Sequence, residues 1–276
     1  MNKFDDVAIF NFTGVYESED FYRSIDNPRF IECKDISGTD CFCDDDGERT
    51  IRNIIEGEKV PLRGIHFIDN GNYHYMSHIF TSMIEEPFDL IYFDNHPDMK
   101  PSMFGDILSC GSWVKKVIET NVNVRNVIAV GINKELFDEI DDAVRKKVTL
   151  VSICDSVSGI ENDVHKSLDY DNINIGDGTK NFDNTMNRIM DGLSYDLPVY
   201  ISVDKDVLSP DQLKTNWDQG TMLADTLLEI IKRLVGSKKV LGIDICGEVS
   251  IDTDCDYDLE VQKNNSFNKR ILTELS

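Results

Sequence analysis

Short apolar runs rich in Val and Ile alternate along this chain with longer segments in which apolar residues recur every three or four positions. The first pattern is typical of buried strands and the second of amphipathic helices. The predicted strands span residues 7–12, 30–36, 63–69, 90–93, 126–130, 148–153, 199–203 and 240–245. The predicted helices span residues 48–56, 73–84, 112–119, 134–145, 183–193, 223–234 and 267–275. The repeat is clearest in 223–234, for which Thr221 is the expected N-cap.

Strands that alternate with helices in this way predict a mainly parallel sheet covered on both faces. We therefore expect one three-layer α/β/α domain over residues 1–276, since neither a linker-like composition nor an internal repeat interrupts the pattern. Long loops are expected at residues 38–47, 160–180 and 208–220. In such folds, ligands bind where loops leave the carboxyl ends of the strands.

The composition narrows the range of partners. Of the 276 residues, 51 are Asp or Glu and 28 are Lys or Arg, which gives a formal net charge of −23. A surface this acidic repels phosphate, so nucleic acids and anionic membranes are not expected to bind. The charge is compatible with a cationic substrate, although solubility alone also explains it.

The seven cysteines indicate a reducing compartment. Their number is odd, the chain does not open with a secretory signal pattern, and no apolar run approaches the roughly 20 residues of a membrane span. We therefore expect a soluble cytoplasmic protein with reduced thiols. Cys41-Phe42-Cys43 has no second pair of ligands at zinc-site spacing, so a structural role is expected for it.

Four predicted strands lead into segments that carry Asp, His or Glu. These segments are Gly71-Asn72-Tyr73-His74, Asp94-Asn95-His96-Pro97-Asp98, Asp204-Lys205-Asp206 and Cys246-Gly247-Glu248. If the strands are parallel, the segments meet at one edge of the sheet. Four aspartates and two histidines brought together there would be unstable without roughly two divalent cations.

This ligand set predicts the kind of metal. Carboxylates and imidazoles without a thiolate suit Mn²⁺ or Fe²⁺ better than structural zinc. Two cations that share carboxylates lower the pKa of a bound water and supply hydroxide at neutral pH. An Asp-x-Asp sequence alone is more often a turn or a helix cap, and the prediction depends on both aspartate motifs occurring at strand ends in one α/β chain.

Asp94-Asn95-His96-Pro97-Asp98 and Ser202-Val203-Asp204-Lys205-Asp206 resemble the two aspartate motifs of the arginase family, the ureohydrolases that include arginase, agmatinase and formiminoglutamase. The resemblance covers about residues 63–250 and implies an arginase-like fold with two Mn²⁺ per chain. The metal ligands that it implies are His74, Asp94, His96, Asp98, Asp204 and Asp206, with Asp94 and Asp204 bridging the two ions.

The same resemblance implies catalytic roles. His74 and Asp98 would complete one metal position, and His96 and Asp206 the other. Asp98 would also accept a hydrogen bond from the bridging hydroxide. Glu248 would bind the substrate guanidinium, a planar cation that suits the two oxygens of a carboxylate.

The chain departs from the family pattern at several positions. The family's first metal histidine follows Gly-Gly-Asp, whereas here the choice lies between His74 and His78, with His74 preferred because it begins a helix after the right strand. His66 lies within a predicted strand and is expected to be packed. Cys110 stands where arginases have a histidine that transfers a proton to the leaving amine, so it becomes either a substitute proton donor or an inert buried thiol.

Two further departures concern the substrate. Glu248 lies one residue later, relative to Asp244, than in the family. The Asp-Pro pair that follows the family's second aspartate motif is displaced here to Ser209-Pro210-Asp211. Trp217 precedes the penultimate helix and is expected either to wall the substrate channel or to pack on the surface. The amino-acid-recognition loops of arginase are not recognisable, which favours a substrate larger than free arginine.

Three hypotheses follow. The preferred one is a binuclear manganese hydrolase that cleaves a C–N bond of a guanidinium or amidine, with arginine in a peptide as the leading substrate variant. The second is a zinc-dependent deacetylase of the same fold, against which Asp98 and Asp206 together argue. The third is a non-catalytic metal-binding homologue that acts as a binding module. The sequence does not determine the guanidino compound or whether the chain forms a homo-oligomer.

Overall fold

Strands and helices alternate in the computed structural model, which describes residues 4, 6–102, 105–151, 153–154, 173–174 and 180–275. The strands are β1 Val7–Asn11, β2 Arg29–Glu32, β3 Phe42–Cys43, β4 Ile65–Phe67, β5 Phe88–Phe93, β6 Leu108–Ser109, β7 Val124–Val130, β8 Val148–Val151, β9 Ile153–Cys154, β10 Ile173–Asn174, β11 Val199–Asp204 and β12 Val240–Cys246. The α-helices are α1 Asp45–Gly57, α2 Met76–Ser82, α3 Trp113–Thr120, α4 Asp142–Arg145, α5 Lys180–Gly192, α6 Ala224–Ser237 and α7 Tyr257–Leu275.

Eight of these strands form one sheet in the order β2-β1-β4-β12-β11-β5-β7-β8. Every neighbouring pair in it is parallel, which confirms the predicted parallel sheet. The strands β3 and β6 form a separate antiparallel pair, and β9 and β10 a separate parallel pair. All eight strands therefore point their carboxyl ends to one edge of the sheet.

Apolar side chains cover both faces of the sheet because successive residues of a strand point to opposite sides. In β5, Leu90 and Tyr92 join the apolar cluster that contains residues of α1 to α4, whereas Ile91 and Phe93 join the cluster that contains residues of α5 to α7. This continuous apolar run is the signature of a strand buried on both faces. The three-layer α/β/α arrangement expected from the sequence is confirmed.

The expected N-cap of the penultimate helix is wrong. Helix α6 begins at Ala224, and its N-cap is Leu223, whose side chain makes no capping bond. Thr221 is displaced from the cap because Met222 forms a parallel bridge with Leu208 and keeps the chain extended. The backbone N–H of Ala224 donates instead to Gln212 Oε1 at 3.4 Å.

Several predicted elements differ in length. The helix predicted at 134–145 is a 3₁₀ turn, Lys134–Glu139, followed by α4, and the one at 73–84 is the 3₁₀ turn Gly71–Tyr73 followed by α2. The strand expected to reach residue 36 ends at Glu32. The predicted loop at 38–47 contains β3, and the one at 160–180 lies outside the described residues except for 173–174 and 180.

The last helix, α7, is longer than the predicted 267–275 and begins at Tyr257. Its buried face includes the polar residues Asn264 and Asn268, which hide the apolar repeat in the sequence. Within the described part of the chain, no helix combines the length and the apolar character that crossing a bilayer requires.

Candidate metal centre and active site

The four strands whose ends carry the candidate ligands are neighbours in the sheet, in the order β4-β12-β11-β5. They are far apart in sequence, and only the crossover connections bring them side by side. The loops after β4, β5 and β11 thus bring together six side chains, all buried except the partly exposed His96, which we call the aspartate–histidine cluster: His74, Asp94, His96, Asp98, Asp204 and Asp206.

Local hydrogen bonds fix the loop after β5. The backbone N–H of His96 donates to Asp94 Oδ1 at 2.6 Å, and that of Asn95 donates to Asp206 Oδ1 at 2.9 Å. Asp98 adopts a left-handed backbone conformation, with φ of 49°. A short polar side chain tolerates this conformation better than most residues do, and it turns the second carboxylate of the motif back towards the first.

The loop after β11 is fixed in a similar way. Asp204 ends the strand, and its Oδ1 accepts a hydrogen bond from the backbone N–H of Asp206 at 2.9 Å. The carboxylate of Asp206 reaches the imidazole of His96, with 2.8 Å between Oδ2 and Nδ1. The two aspartate motifs are therefore in direct contact.

Of the three histidines weighed in this region, His74 is the one that the structure brings to the cluster. Its Nδ1 lies 3.1 Å from Asp98 Oδ2, 3.2 Å from Asp94 Oδ2 and 3.6 Å from Asp204 Oδ2. Its Nε2 lies 2.9 Å from Ser202 Oγ. This second contact orients the ring, as hydrogen bonds to the far nitrogen of metal-binding histidines commonly do.

The other two histidines lie elsewhere. His66 is buried in β4, where it stacks on Phe80 and its Nε2 lies 2.9 Å from Pro61 O, which confirms that it is packed. His78 is buried in α2 and belongs to none of the three groups of potential metal ligands found among the described residues. Burial lowers the pKa of His78 to about 4, so it is a neutral core side chain.

The charges of the cluster are unfavourable as they stand. Burial raises the pKa of Asp94, Asp98 and Asp204, with Asp98 adding to the effect on Asp94, and burial together with Asp94 raises the pKa of Asp206 to about 7. Burial opposes a charge on His96, but Asp206 and Asp94 outweigh it and raise the pKa of His96 to about 12. These pKa shifts arise because several carboxylates lie close together and away from water.

The cluster fits divalent cations. Three groups of side chains hold their ligand atoms within 4.8 Å of one another: His74, Asp94 and Asp98; Asp94, His96 and Asp206; and His74, Asp204 and Cys246. Asp94 Oδ2 and His74 Nδ1 are buried, and although they lie 3.2 Å apart, neither atom makes a hydrogen bond of normal geometry. Unpaired buried atoms of this kind cost free energy, and a cation between them would satisfy both.

Cys246 was not expected among these groups. It ends β12 opposite Asp204 in the sheet register, and its Sγ donates a hydrogen bond to Asp204 Oδ2 at 3.1 Å. The expected ligand set contained no thiol, whereas the structure places this one beside two of the expected ligands, His74 and Asp204. The signal was present in the sequence, because Cys246 occupies the strand end from which only Glu248 was considered.

Trp113 is a second residue that sequence patterns did not reveal. Its indole Nε1 donates to Asp98 Oδ2 at 2.7 Å, and its ring packs against His74 with 4.8 Å between the ring centroids. Trp113 is fully buried at the start of α3. Trp113 thus helps to fix the positions of Asp98, through the hydrogen bond, and of His74, through the ring contact.

A cavity of about 130 Å³ opens over the aspartate–histidine cluster. Its lining includes Asp94, His96, Asp98, Asp204 and Asp206, together with Gly71, Pro97, Lys100, Cys110, Gly111 and Trp217. Trp217 is 42% exposed at this cavity, which agrees with the expectation that it walls a channel. A Cβ atom on Gly71 would lie 2.6 Å from Trp217 Cδ1, so glycine permits the close approach of the indole.

Cys110 lines the same cavity. Its backbone N–H donates to Cys41 O at 3.0 Å, and contact with the Cys41 thiol, reinforced by burial, raises the pKa of the Cys110 thiol. A thiol of raised pKa remains protonated at neutral pH. All six cysteines whose side chains are described are free thiols.

The structure does not bring Glu248 to the cavity. Its side chain is fully buried, its Oε1 lies 2.6 Å from Lys205 Nζ, and it accepts a hydrogen bond from Asn268 Nδ2 at 2.8 Å. Burial and the nearby Glu248 together raise the pKa of Glu19 to about 10. We call Glu19, Lys205, Glu248, Asn264 and Asn268 the buried lysine cluster.

Comparisons with known proteins find a matching family and a relative of similar length. The model of the arginase family matches residues 19–259. An uncharacterised protein of Thermotoga maritima is 27% identical over 250 residues, which are 88% of this chain and 79% of that protein.

Two solved structures share the fold. Proclavaminate amidino hydrolase from Streptomyces clavuligerus superposes with a TM-score of 0.63 at 16% identity and covers 99% of this chain and 93% of its own. Formimidoylglutamase from Bacillus subtilis superposes with a TM-score of 0.64 at 14% identity and covers 98% of this chain and 87% of its own.

Proposed function

This chain belongs to the arginase family, hydrolases of guanidino and amidino compounds, and from that premise we propose that it cleaves a C–N bond of a guanidinium or amidine with two bound Mn²⁺ ions. The observation that supports the proposal best is the aspartate–histidine cluster, in which four carboxylates and two imidazoles converge under a cavity. When bound, a pair of Mn²⁺ ions supplies hydroxide at neutral pH and offsets the charge that develops on the reacting group.

The distances suggest how the side chains divide between two cations. Asp94 belongs to two of the ligand groups, with Oδ2 facing His74 and Oδ1 facing His96, so it is positioned to bridge. The Oδ2 atom of Asp204 faces His74, and its Oδ1 atom accepts a hydrogen bond from the backbone N–H of Asp206. We assign His74 and Asp98 to one position and His96 and Asp206 to the other.

Asp98 is the candidate for orienting the nucleophile. Its Oδ2 already accepts the indole N–H of Trp113, which fixes the carboxylate at the cavity. A carboxylate held in this way can accept a hydrogen bond from an attacking water or hydroxide and keep it aligned with the substrate carbon.

Recognition of the guanidinium was expected of Glu248. Because Glu248 is engaged with Lys205 outside the cavity, we propose that the face of Trp217, which lines the cavity, binds the cation instead. An indole face attracts a guanidinium.

Cys110 is the candidate for protonating the leaving amine. It lines the cavity and its raised pKa keeps the proton on sulfur. A group of high pKa donates its proton reluctantly, so Cys110 would act only when the amine leaves as a stronger base. Cys110→Ser tests this role, because a hydroxyl of similar size retains a proton but is a poorer acid.

The size of the cavity bears on the substrate. A volume of about 130 Å³ is similar to that of an engineered cavity of about 150 Å³ that accepts a benzene ring, so it accommodates a guanidinium head with few further atoms. The rest of the substrate would leave the cavity past the exposed Trp217. This arrangement supports an arginine side chain presented by a peptide as the leading substrate variant.

A screen of urea release in the presence of Mn²⁺ tests the proposal. Free arginine, agmatine, guanidino acids and arginine-containing peptides are compared, and metal analysis of the purified protein accompanies each assay. When Mn²⁺ is the only divalent ion supplied, we expect close to two Mn per chain and urea from at least one guanidine.

Matched variants make the test specific. Asp94→Ala and Asp204→Ala should lose both metal and activity, whereas Asp211→Ala, an exposed aspartate of the neighbouring loop, should retain both. A single tightly held zinc with release of acetate from acetylated amines would instead support the deacetylase hypothesis. Bound metal without turnover of any guanidine would support a binding module.

A further inference from the structure

Cys246 lies close enough to two candidate metal ligands to be a ligand itself. It is fully buried, its Sγ is 3.1 Å from Asp204 Oδ2, and it forms with Asp204 and His74 one of the groups whose ligand atoms lie within 4.8 Å of one another. The Nδ1 atom of His74 is buried and lies near carboxylate oxygens, but it makes no hydrogen bond of normal geometry with them. An unpaired imidazole nitrogen, a carboxylate oxygen and a sulfur therefore face one another.

The backbone is shaped for this approach. Asp204 and Cys246 are direct partners in the parallel register of β11 and β12, so their side chains share one face of the sheet. The next residue, Gly247, has φ of 95°, and a Cβ atom there would lie 2.6 Å from Asp204 Oδ1 and 2.7 Å from Lys205 N. Only glycine lets the chain turn at this point without pushing the Asp204 carboxylate away from Cys246.

The opposite position has no comparable thiol. The group made by Asp94, His96 and Asp206 contains carboxylate and imidazole alone. Soft thiolate ligands favour Zn²⁺ and other late divalent ions, whereas carboxylates and imidazoles without sulfur suit Mn²⁺. The two halves of the cluster consequently differ in the metals that they select.

We propose that Cys246 binds, as a thiolate, the cation held by His74 and Asp204, so that this position selects Zn²⁺, Co²⁺ or Fe²⁺ over Mn²⁺ while the Asp94–His96–Asp206 position keeps a preference for Mn²⁺. The sulfur–metal bond replaces the S–H bond, and the proton passes to solvent. The inference rests on the proposed function in that it needs the cluster to bind metal, but it concerns which ion each position holds.

Cobalt provides the direct test. The full chain is stripped of metal under reducing conditions and titrated with Co²⁺ while its absorption spectrum is recorded. Visible ligand-field bands report any bound cobalt, whereas a near-ultraviolet sulfur-to-cobalt charge-transfer band appears only when a thiolate coordinates. We expect both kinds of band in the unaltered protein and only the visible bands in Cys246→Ser.

Two control variants identify the sulfur. Cys110→Ser removes the thiol that lines the cavity, and Cys255→Ser removes one in the loop before α7, outside the three ligand groups. Both should keep the charge-transfer band. X-ray absorption of the zinc-loaded, unaltered protein provides a second measurement that needs no variant, and it should show one sulfur at about 2.3 Å from the metal.

Competition between ions measures the selectivity. In Cys246→Ser the affinity for Zn²⁺ should fall by about 10- to 100-fold or more, since removing even an outer-shell partner of a ligand has that effect, while the affinity for Mn²⁺ should change much less.

The outcomes separate the two proposals. The assignment of Cys246 would be overturned if cobalt bound without a charge-transfer band. It would also be overturned if the band survived in Cys246→Ser or disappeared in Cys110→Ser. Either result would leave the proposal of a two-metal hydrolase intact. A chain that binds no cation at the aspartate–histidine cluster would overturn both.

Discussion

Replacing Lys205 by Met is the sharpest test of how the interior beside the candidate site is held together. The Lys205 ammonium is fully buried, and its Nζ lies 2.6 Å from both Glu248 Oε1 and Asn264 Oδ1. Methionine has a similar length but no charge, so the substitution leaves Glu248 buried without its cation.

The structure sets the expected magnitude. At 2.6 Å and an effective dielectric constant of about 20, two unit charges attract by roughly 6 kcal/mol. Relief from burying the ammonium offsets part of this loss, and breaking a buried pair from one side typically costs about 3–5 kcal/mol. We expect Lys205→Met to lower the free energy of unfolding by that amount.

Reversible unfolding in guanidinium chloride, followed by tryptophan fluorescence, measures the change. A fall in the midpoint with an unchanged slope identifies lost stability rather than an altered unfolded state. The double variant Lys205→Met with Glu248→Leu should recover most of the loss, because apolar residues often replace a buried ion pair without penalty. A loss below about 1 kcal/mol, or a double variant no more stable than Lys205→Met, would refute the pairing as described.

Three further predictions concern the same two clusters. The free energy of unfolding should fall as pH rises between 4.5 and about 10, because the folded chain keeps the Glu19 proton that the unfolded chain has released. Glu19→Gln should flatten this slope when the free energy of unfolding is measured against pH. An equal slope in both proteins would contradict the prediction. Removing metal should lower the free energy of unfolding by about 4 kcal/mol for each Mn²⁺ ion lost, relative to protein in free Mn²⁺ at about 1,000 times its dissociation constant, and Asp94→Asn should abolish the difference. A metal-dependent shift that persists in Asp94→Asn would remove Asp94 from the ligands. Trp113→Phe should cost about 2–3 kcal/mol through the lost hydrogen bond to Asp98, measured by the same unfolding in guanidinium chloride but followed by circular dichroism. A neutral effect would show that the bond contributes nothing.

The buried lysine cluster also explains why the expected role of Glu248 does not follow from its place in the sequence. A glutamate after a late strand looks available to a substrate when only the sequence is considered. In the folded chain, α7 places Asn264 and Asn268 over the end of β12, and the residue between the two site aspartates, Lys205, turns inward to meet Glu248. A long-range contact of this kind leaves no local pattern.

The sequence by itself determined the elements and the inventory of chemical groups. Continuous apolar runs such as 88–93 identify strands buried on both faces, and the residues that follow them identify the carboxylates and imidazoles available at the strand ends. These features are local, since side-chain period and strand ends depend on residues a few positions apart.

Only the tertiary structure decided which of those groups meet. The sheet order β4-β12-β11-β5 brings His74 rather than His78 to the two aspartate motifs, adds Cys246 beside Asp204, and turns Glu248 towards Lys205. Distances between such residues are set by the crossover connections and by the packing of helices on the sheet. Neither can be predicted from a single segment of the sequence, because both depend on contacts between distant segments. The residues at the strand ends therefore supply the chemical groups, while the order of the strands in the sheet determines which of these groups form the site.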